Sequence, residues 1–385
     1  MHISSFIFFL FLSFFSSVKP KPVYPRQAAS TDFGGANNYF IHAADTTVIQ
    51  AWVSSLQTSG AKIVRLWVSG SPGGGCDKGT DKNSIPELEP VTLGVYDDTV
   101  LNALDKVLAL TSAAGIKAII SPHDAGKLQN SQGSTYNGED LYTQLSATFY
   151  GPITNPASAT ARRLYQARLT HILNYTGATS QKRWGAWSAA IAAFDIQNEP
   201  MVGLDSTDPL LTTSDWLCSA AKVMKPLLAG PLVATGGVLG ACEHGSNFSP
   251  IATSCAQIDI ISIHGFAHGS TPAANTFLDA NCTAAGLLTS AKKANKTVIV
   301  EEMGIDPTEI GPNSPTTFQA VTSDYTNGGV PWLYWQVVPP LDPKCSSIAT
   351  AGTDNYELPT TEPALKTAWD AAVAKPAAQD WSAVF

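Results

Sequence analysis

Residues 193–200 read "AFDIQNEP", an apolar run that stops on an amide, a carboxylate and a proline. Pro200 has no N–H and ends any backbone ladder there, so Asn198 and Glu199 are presented at the end of a buried strand. The same figure recurs along the chain. Short apolar runs end on polar or aromatic residues, and most are followed by a longer segment with apolar residues at every third or fourth position. Such alternation is the signature of repeated βα units.

Eight strands can be counted: "FGGANNYF" (33–40), "KIVRLWV" (62–68), "IKAIISP" (116–122), "AFDIQN" (193–198), "LVATGG" (232–237), "IDIISIHG" (258–265), "TVIVEEMG" (297–304) and "VPWLYWQVV" (330–338). Helical period covers 45–59, 96–114, 158–174, 213–228, 316–327 and 362–374. Asp45 and Ser214–Asp215 stand where N-caps belong, and Gly60 and Gly115 where a glycine ends a helix. Eight parallel strands with helical crossovers predict an α/β fold, a single-domain (β/α)8 TIM barrel; an open doubly wound sheet is the alternative. Two insertions, 69–95 and 124–156, follow strands directly, which in a barrel is the face where sites are built.

The chain has 385 residues, 44% hydrophobic and only 14% charged, enough apolar material for a large core. Its net charge of −8, with no basic cluster longer than Lys292–Lys293, excludes a nucleic-acid partner. The apolar stretch from Phe6 to Phe15 is too short to span a bilayer and fits a secretory leader. That leader ends near residue 17, or at 26 if "KPKPVYPR" is included, leaving 27–385 as the mature domain. No membrane partner is expected. Secretion fits six cysteines, with up to three disulfides in any of fifteen pairings. It also fits four N-glycosylation sequons, at Asn174, Asn247, Asn281 and Asn295. No C-x-x-C spacing occurs, and the His264–His268 pair follows a strand instead of lying on a helix, so no metal or cofactor is expected.

Polar groups gather at the strand ends: Arg65, His123 and Asp124, Asn198 and Glu199, His264, Glu301 and Glu302, with Trp67 and Trp335 among them. Buried polar groups need partners, and convergence at one barrel mouth supplies them. Two carboxylates across a cleft suit glycosidic bond hydrolysis, one protonating the leaving oxygen while the other attacks or activates water.

"FDIQNEP" resembles the Asn-Glu-Pro motif of clan A glycoside hydrolases, and "VIVEEMG" their Glu-x-Gly nucleophile strand. "VRLW", "ISIHGF" and "LYWQ" fall in the matching order. Together they are similar to glycoside hydrolase family five, particularly its fungal endo-β-mannanase-like and cellulase-like members. The resemblance implies a retaining enzyme acting on cell-wall polysaccharide, most of all β-1,4-mannan; with the leader, a secreted monomer is expected. It implies Glu199 as general acid/base and Glu302 as nucleophile. Glu301 is the competing nucleophile, and strand alternation then places the other of the two glutamates behind the barrel.

Arg65 is expected to keep Glu302 ionised and Glu199 to hold the proton, while Asn198 meets the sugar 2-hydroxyl. Trp335 and Trp67 are candidate sugar platforms, and His123, His264 and Asn38 candidate substrate contacts, with Asn37 a further one. The family's tyrosine two residues after the sixth-strand histidine is Phe266 here, a task that passes to His268 or Asn38. Alternatives are a β-glucanase or exo-acting β-glycosidase, a sugar-binding barrel without chemistry, and a metal-dependent hydrolase using Glu301, Glu302, His123, His264 and His268.

Overall fold

Eight parallel strands close on themselves: β1 (Gly34–Asn37), β2 (Ile63–Trp67), β3 (Lys117–Ser121), β4 (Ile191–Asp195), β5 (Leu232–Ala234), β6 (Ile260–Ala267), β7 (Thr297–Ile305) and β8 (Trp332–Tyr334). Each pairs with its sequence neighbours, and β8 returns to β1. The computed structural model describes residues 34–128, 141–202, 204, 208–237, 250–267, 284–306, 314–346, 356–359 and 363–373. The leader, His268, Cys242, Cys282, Asn247, Asn281 and part of the second insertion lie outside the described residues.

Side-chain alternation sorts each strand into an axial and an outer set. Ile63, Ile119, Ala193, Ala234, Ile260, Ile299 and Leu333, one from each of β2 to β8, form a small apolar plug on the axis. The outward set, such as Val64 and Leu66 of β2 or Trp332 and Tyr334 of β8, joins the larger core beneath the helices. Burying each such aliphatic or aromatic side chain contributes about 1.5–3 kcal/mol.

The predicted helices appear as Thr46–Ser59, Thr99–Ala113, Pro156–Asn174, Trp216–Met224, Ser314–Asn327 and Pro363–Val373. Gly60 closes the first in the left-handed conformation, at φ 87°. Ser214 accepts from the Trp216 N–H, whereas the Asp215 carboxylate pairs with Arg162 instead of capping. Helix Ala284–Lys293 was not predicted. Its run "AAGLLTSAKK" is only ten residues long and carries a glycine, which lowers its helix propensity.

The first insertion carries a hairpin, Cys76–Asp77 against Thr80–Asp81. The Cys76–Cys345 disulfide ties it to the segment after β8, and Cys218–Cys255 links helix Trp216–Met224 to the chain preceding β6. Asn174 and Asn295 are exposed. No helix among the described residues is long and apolar enough to cross a membrane.

Candidate active site

Two residues beyond the apolar plug, the axial positions turn polar: Arg65 follows Ile63, Asp195 follows Ala193, and Glu301 follows Ile299. Arg65 is wholly buried. Its Nε donates to Asp195 Oδ2 at 2.8 Å, Nη1 to Glu302 Oε1 at 2.5 Å and Nη2 to Asn198 Oδ1 at 2.8 Å, while Glu301 Oε2 lies 3.5 Å from Nη2. Its guanidinium also stacks over Trp67, 4.2 Å from the ring centroid.

Neighbouring residues on a strand point to opposite faces, yet Glu301 and Glu302 both contact Arg65. A bulge makes this possible. Val300 pairs with Ile263 and Glu302 with His264 on one side, and Val300 with Trp332 and Met303 with Tyr334 on the other, so β7 has one residue more than either neighbour. Val298, Val300, Met303 and Ile305 all face the outer core, leaving both glutamates inward. The expectation that one would lie behind the barrel is therefore corrected. Asn37 completes the irregularity, because its Nδ2 donates to the carbonyls of Glu301 at 2.9 Å and Tyr334 at 3.1 Å. Its Nδ2 is thus spent on the backbone, and the side chain is wholly buried.

Glu199 lies just past β4 with φ 45°, a left-handed conformation costly for a residue with a side chain. Its N–H donates to Gly236 O at 2.7 Å, and the Asn198 N–H to His123 O at 2.8 Å. Gly236 and Gly237 have φ of 86° and 82°. A Cβ on Gly236 would sit 1.8 Å from Gln197 O, and one on Gly237 would sit 2.2 Å from His264 Nε2. The glycine pair of "LVATGG" thus makes room for the end of β4 and for His264.

His264 Nδ1 lies 3.0 Å from Glu199 Oε1 and 3.4 Å from Glu302 Oε2, and Nε2 lies 3.4 Å from Glu301 Oε2. One carboxylate oxygen each from Glu199 and Glu302 falls, with His264, inside a group spanning no more than 4.8 Å. The Glu302 side chain is 5% exposed and that of Glu199 26%.

Charge in this nest is tightly balanced. Burial works against a charged His264, but Glu302, Glu199 and Glu301 push its pKa up to about 10. Burial raises Glu302 to about 7, with Glu199 adding in the same direction and His264 and Arg65 opposing. Burial would also raise Glu199, but the His264 hydrogen bond and charge, helped by Arg65, hold it below the usual range. In the free site burial thus favours the proton on Glu302 while His264 favours Glu199 as the anion, the reverse of the expected order.

Deeper down, burial and then Glu301 drive Asp195 well above the carboxylate range, while Arg65 and His264 overcome burial to keep Glu301 low. Asp195 Oδ1 and Glu301 Oε1 are buried and meet no donor among the described residues. A proton carried by Asp195 and given to Glu301 satisfies both atoms.

The remaining candidates divide. Asn198 bridges Arg65 and Asp124, its Nδ2 donating to Asp124 Oδ1 at 2.9 Å. Trp335 packs edge-on to Trp67 at 5.4 Å and parallel to Tyr39 at 6.0 Å. One face of Trp67 is taken by Arg65. His123 does not join the converging groups: it packs among Tyr142, Phe149 and Tyr165, and its Nδ1 meets Gln197 Nε2 at 2.9 Å.

Asn38 also turns away, donating to Val337 O and accepting from the N–H groups of Phe40 and Ile41. It cannot replace the missing tyrosine. Phe266 packs on Tyr356 at 5.0 Å, and Glu302 is held by Arg65 and His264. Sequence reasoning missed Asp195, although a carboxylate inside "AAFDI" was a visible signal. It also missed Gln197, which ties the end of β4 to Tyr150 and His123.

No family model and no curated protein matches the sequence. Among solved structures, the fold is similar to the endo-β-1,4-mannanase from Thermotoga petrophila, with TM-score 0.68 and 18% identity over 89% of this chain and 76% of that one. It is also similar to a glycoside hydrolase family 5 mannosidase from Rhizomucor miehei, with TM-score 0.61 and 15% identity over 91% and 94%. A third likeness is to endo-glycoceramidase II from Rhodococcus sp., solved as a lactosyl-enzyme intermediate, with TM-score 0.57 and 15% identity over 83% and 77%. At these identities the likeness establishes the barrel.

Two outcomes are expected. Asp195→Asn preserves an acceptor for Arg65 and a donor for Glu301, so denaturant unfolding should show a loss within about 1 kcal/mol. Asp195→Ala strands Arg65 and should cost about 3–5 kcal/mol. Separately, His264 has a folded pKa raised from 6.5 to about 10, so the stability it contributes is complete below pH 6.5 and is lost as pH rises through 10. His42, lowered to about 4 by burial, acts only on the acid side. Unfolding free energy measured from pH 7 to 9.5 should fall by about 1.4 kcal/mol per pH unit from His264 alone. His264→Asn should remove that share of the slope.

Proposed function

We propose that this chain is a secreted, retaining β-glycosidase of the family-five type, acting on cell-wall polysaccharide of the β-1,4-mannan class. The observation that carries this reading is the Glu199–Glu302 pair. One oxygen of each lies within 4.8 Å of the other, close to the about 5–5.5 Å of a double displacement and short of the about 6.5–9.5 Å of an inverting pair that must admit water. The pair stands at the C-terminal ends of β4 and β7, the face on which barrel enzymes work.

In this mechanism Glu302 attacks the sugar C1 and forms a glycosyl ester, while Glu199 gives its proton to the departing oxygen. Water then attacks C1, loses a proton to Glu199, and frees Glu302. Attack requires the proton to leave Glu302. A sugar entering the mouth excludes water from the partly exposed Glu199 and raises its proton affinity. Arg65, hydrogen-bonded to Glu302, favours that carboxylate as the anion. His264 Nδ1, within 3.4 Å of both carboxylates, stabilises whichever is charged.

Asn198 is aimed by Arg65 and Asp124 to meet the sugar 2-hydroxyl, and Trp335 offers a flat surface for the ring. The mannan assignment rests on the sequence resemblance and on the mannanase and the mannosidase that share the fold. The two disulfides, the exposed sequons Asn174 and Asn295, and the apolar leader support a secreted glycoprotein, whose mature domain is taken as 27–385 and whose active form as a monomer.

Glu199, His264 and Glu302 also meet the spacing of a metal site. Arg65 and His264 already supply the positive charge these carboxylates need, which disfavours a divalent cation. Loss of activity in excess chelator, restored by added zinc or manganese, would select the metal reading.

Two measurements test the proposal. On mannan, cellulose, xyloglucan and galactan, reducing-sugar release should be highest on mannan. Glu199→Gln and Glu302→Gln should each lower kcat by at least about 10²–10⁴-fold while melting near the wild type. The pH profile of kcat/KM reports the free enzyme's protonation, and the active form carries one proton on the pair. The rate should therefore fall as pH rises through about 7, where that proton is lost.

A further inference from the structure

We infer that hairpin 76–81 walls off the glycone end of the cleft, so that the enzyme removes sugars from the non-reducing ends of β-linked chains. This rests on the glycosidase reading above and adds the mode of attack.

The direction of the chain follows from the chemistry. Glu302 bonds C1 of the glycone and Glu199 protonates the oxygen of the leaving aglycone, so the glycone lies on the side of Glu302 away from Glu199. Around the barrel, β8, β1 and β2 form the arc across the mouth from β4 and Glu199. This arc is lined by aromatic rings: Trp335 beyond β8, Tyr39 beyond β1 and Trp67 on β2. Trp67 and Trp335 are 3% and 5% exposed and packed edge-on, so the cluster offers a pyranose a narrow apolar edge.

The aromatic floor runs straight into the hairpin. Tyr39 lies parallel to Trp335 at 6.0 Å, and its hydroxyl donates to Asp77 Oδ2 at 3.1 Å. The hairpin cannot swing clear. Cys76 is bonded to Cys345, the Asp342 N–H donates to Gly79 O at 2.8 Å, and Lys344 pairs with Asp81 at 2.7 Å. Lys78, itself buried, forms an ion pair with Glu357. The loops after β2 and β8 are thus joined above β1, covalently and by charge, and close the arc. At the end of the floor the Asp77 carboxylate, held by the Tyr39 hydroxyl and by the buried Lys82 ammonium, is 21% exposed and suited to accept from a hydroxyl of a terminal sugar.

The experiment uses the wild-type enzyme with reducing-end-labelled β-1,4-linked hexasaccharides of mannose and of glucose, and with soluble mannan followed by viscosity. The expected result is unlabelled mono- or disaccharide from the first time points, labelled products shortening by one fixed step, and viscosity that persists while sugar is released. Labelled products of every length with an early fall in viscosity would overturn the wall and leave the glycosidase reading standing. No cleavage of any β-linked substrate would overturn both.

Cys76→Ser with Cys345→Ser should loosen the wall and raise the share of mid-chain products at least severalfold; an unchanged profile from the folded variant overturns the hairpin as the cause. Asp77→Ala keeps the disulfide and should raise KM for a mannotetraose about tenfold, as expected for one lost charged hydrogen bond. An unchanged KM overturns the terminal contact.

Discussion

A guanidinium buried on the axis of a barrel must be matched by anions, and Arg65 sets that demand for the whole upper half of the molecule. It fixes Asp195, Glu302 and Asn198 by direct hydrogen bonds and draws in Glu301. The strands that bring these groups together, β2, β4 and β7, are distant in sequence and meet only through barrel closure. Leaving Arg65 charged without them would be penalised by several kcal/mol, a large share of the net stability of a folded domain. The nest is stable because every member answers another.

Putting two carboxylates next to each other on one strand and pointing both inward takes a backbone irregularity, and that irregularity has to be satisfied in turn. The bulge in β7 does the first, and Asn37, reaching from β1 to the carbonyls of Glu301 and Tyr334, does the second. On the opposite side of the mouth, Glu199 is held in a left-handed conformation where Gly236 and Gly237 leave room. Strain and irregularity therefore collect at the mouth while the barrel below stays regular, the usual division between a scaffold and a working site.

The electrostatics give the two inward glutamates different tasks. Glu301 stays anionic beside Arg65 and His264 and shares the proton of Asp195, so it serves as a counter-charge. Glu302 sits where burial and Glu199 favour the neutral form, with Arg65 and His264 opposing, and so can change state near neutral pH. Such a balance suits a group that must alternate between proton holder and nucleophile. His264, positively charged and touching all three glutamates, keeps the nest from accumulating negative charge.

Strand count, order and the pairing of "AFDIQNEP" with "VIVEEMG" were legible because periodicity and breaker residues are local properties, and the parallel βα alternation leaves few ways to close a sheet. Arg65, Asn198, Glu199, His264 and Glu302 were legible for the same reason: a polar residue ending an apolar run needs a partner, whatever the partner is. Local pattern also misled. Strict alternation sent one of Glu301 and Glu302 to the wrong face, because a one-residue bulge leaves no mark in the sequence. His123 and Asn38 looked like mouth residues, but rings from 142, 149 and 165 claimed the one and backbone groups of 40, 41 and 337 the other. The cysteine pairing and the place of the proton depend on distances between segments hundreds of residues apart. The sequence by itself determined which polar groups end which strands; the tertiary structure decided which carboxylate faces which, and which charge burial and neighbours favour, because those are set by through-space contacts and burial.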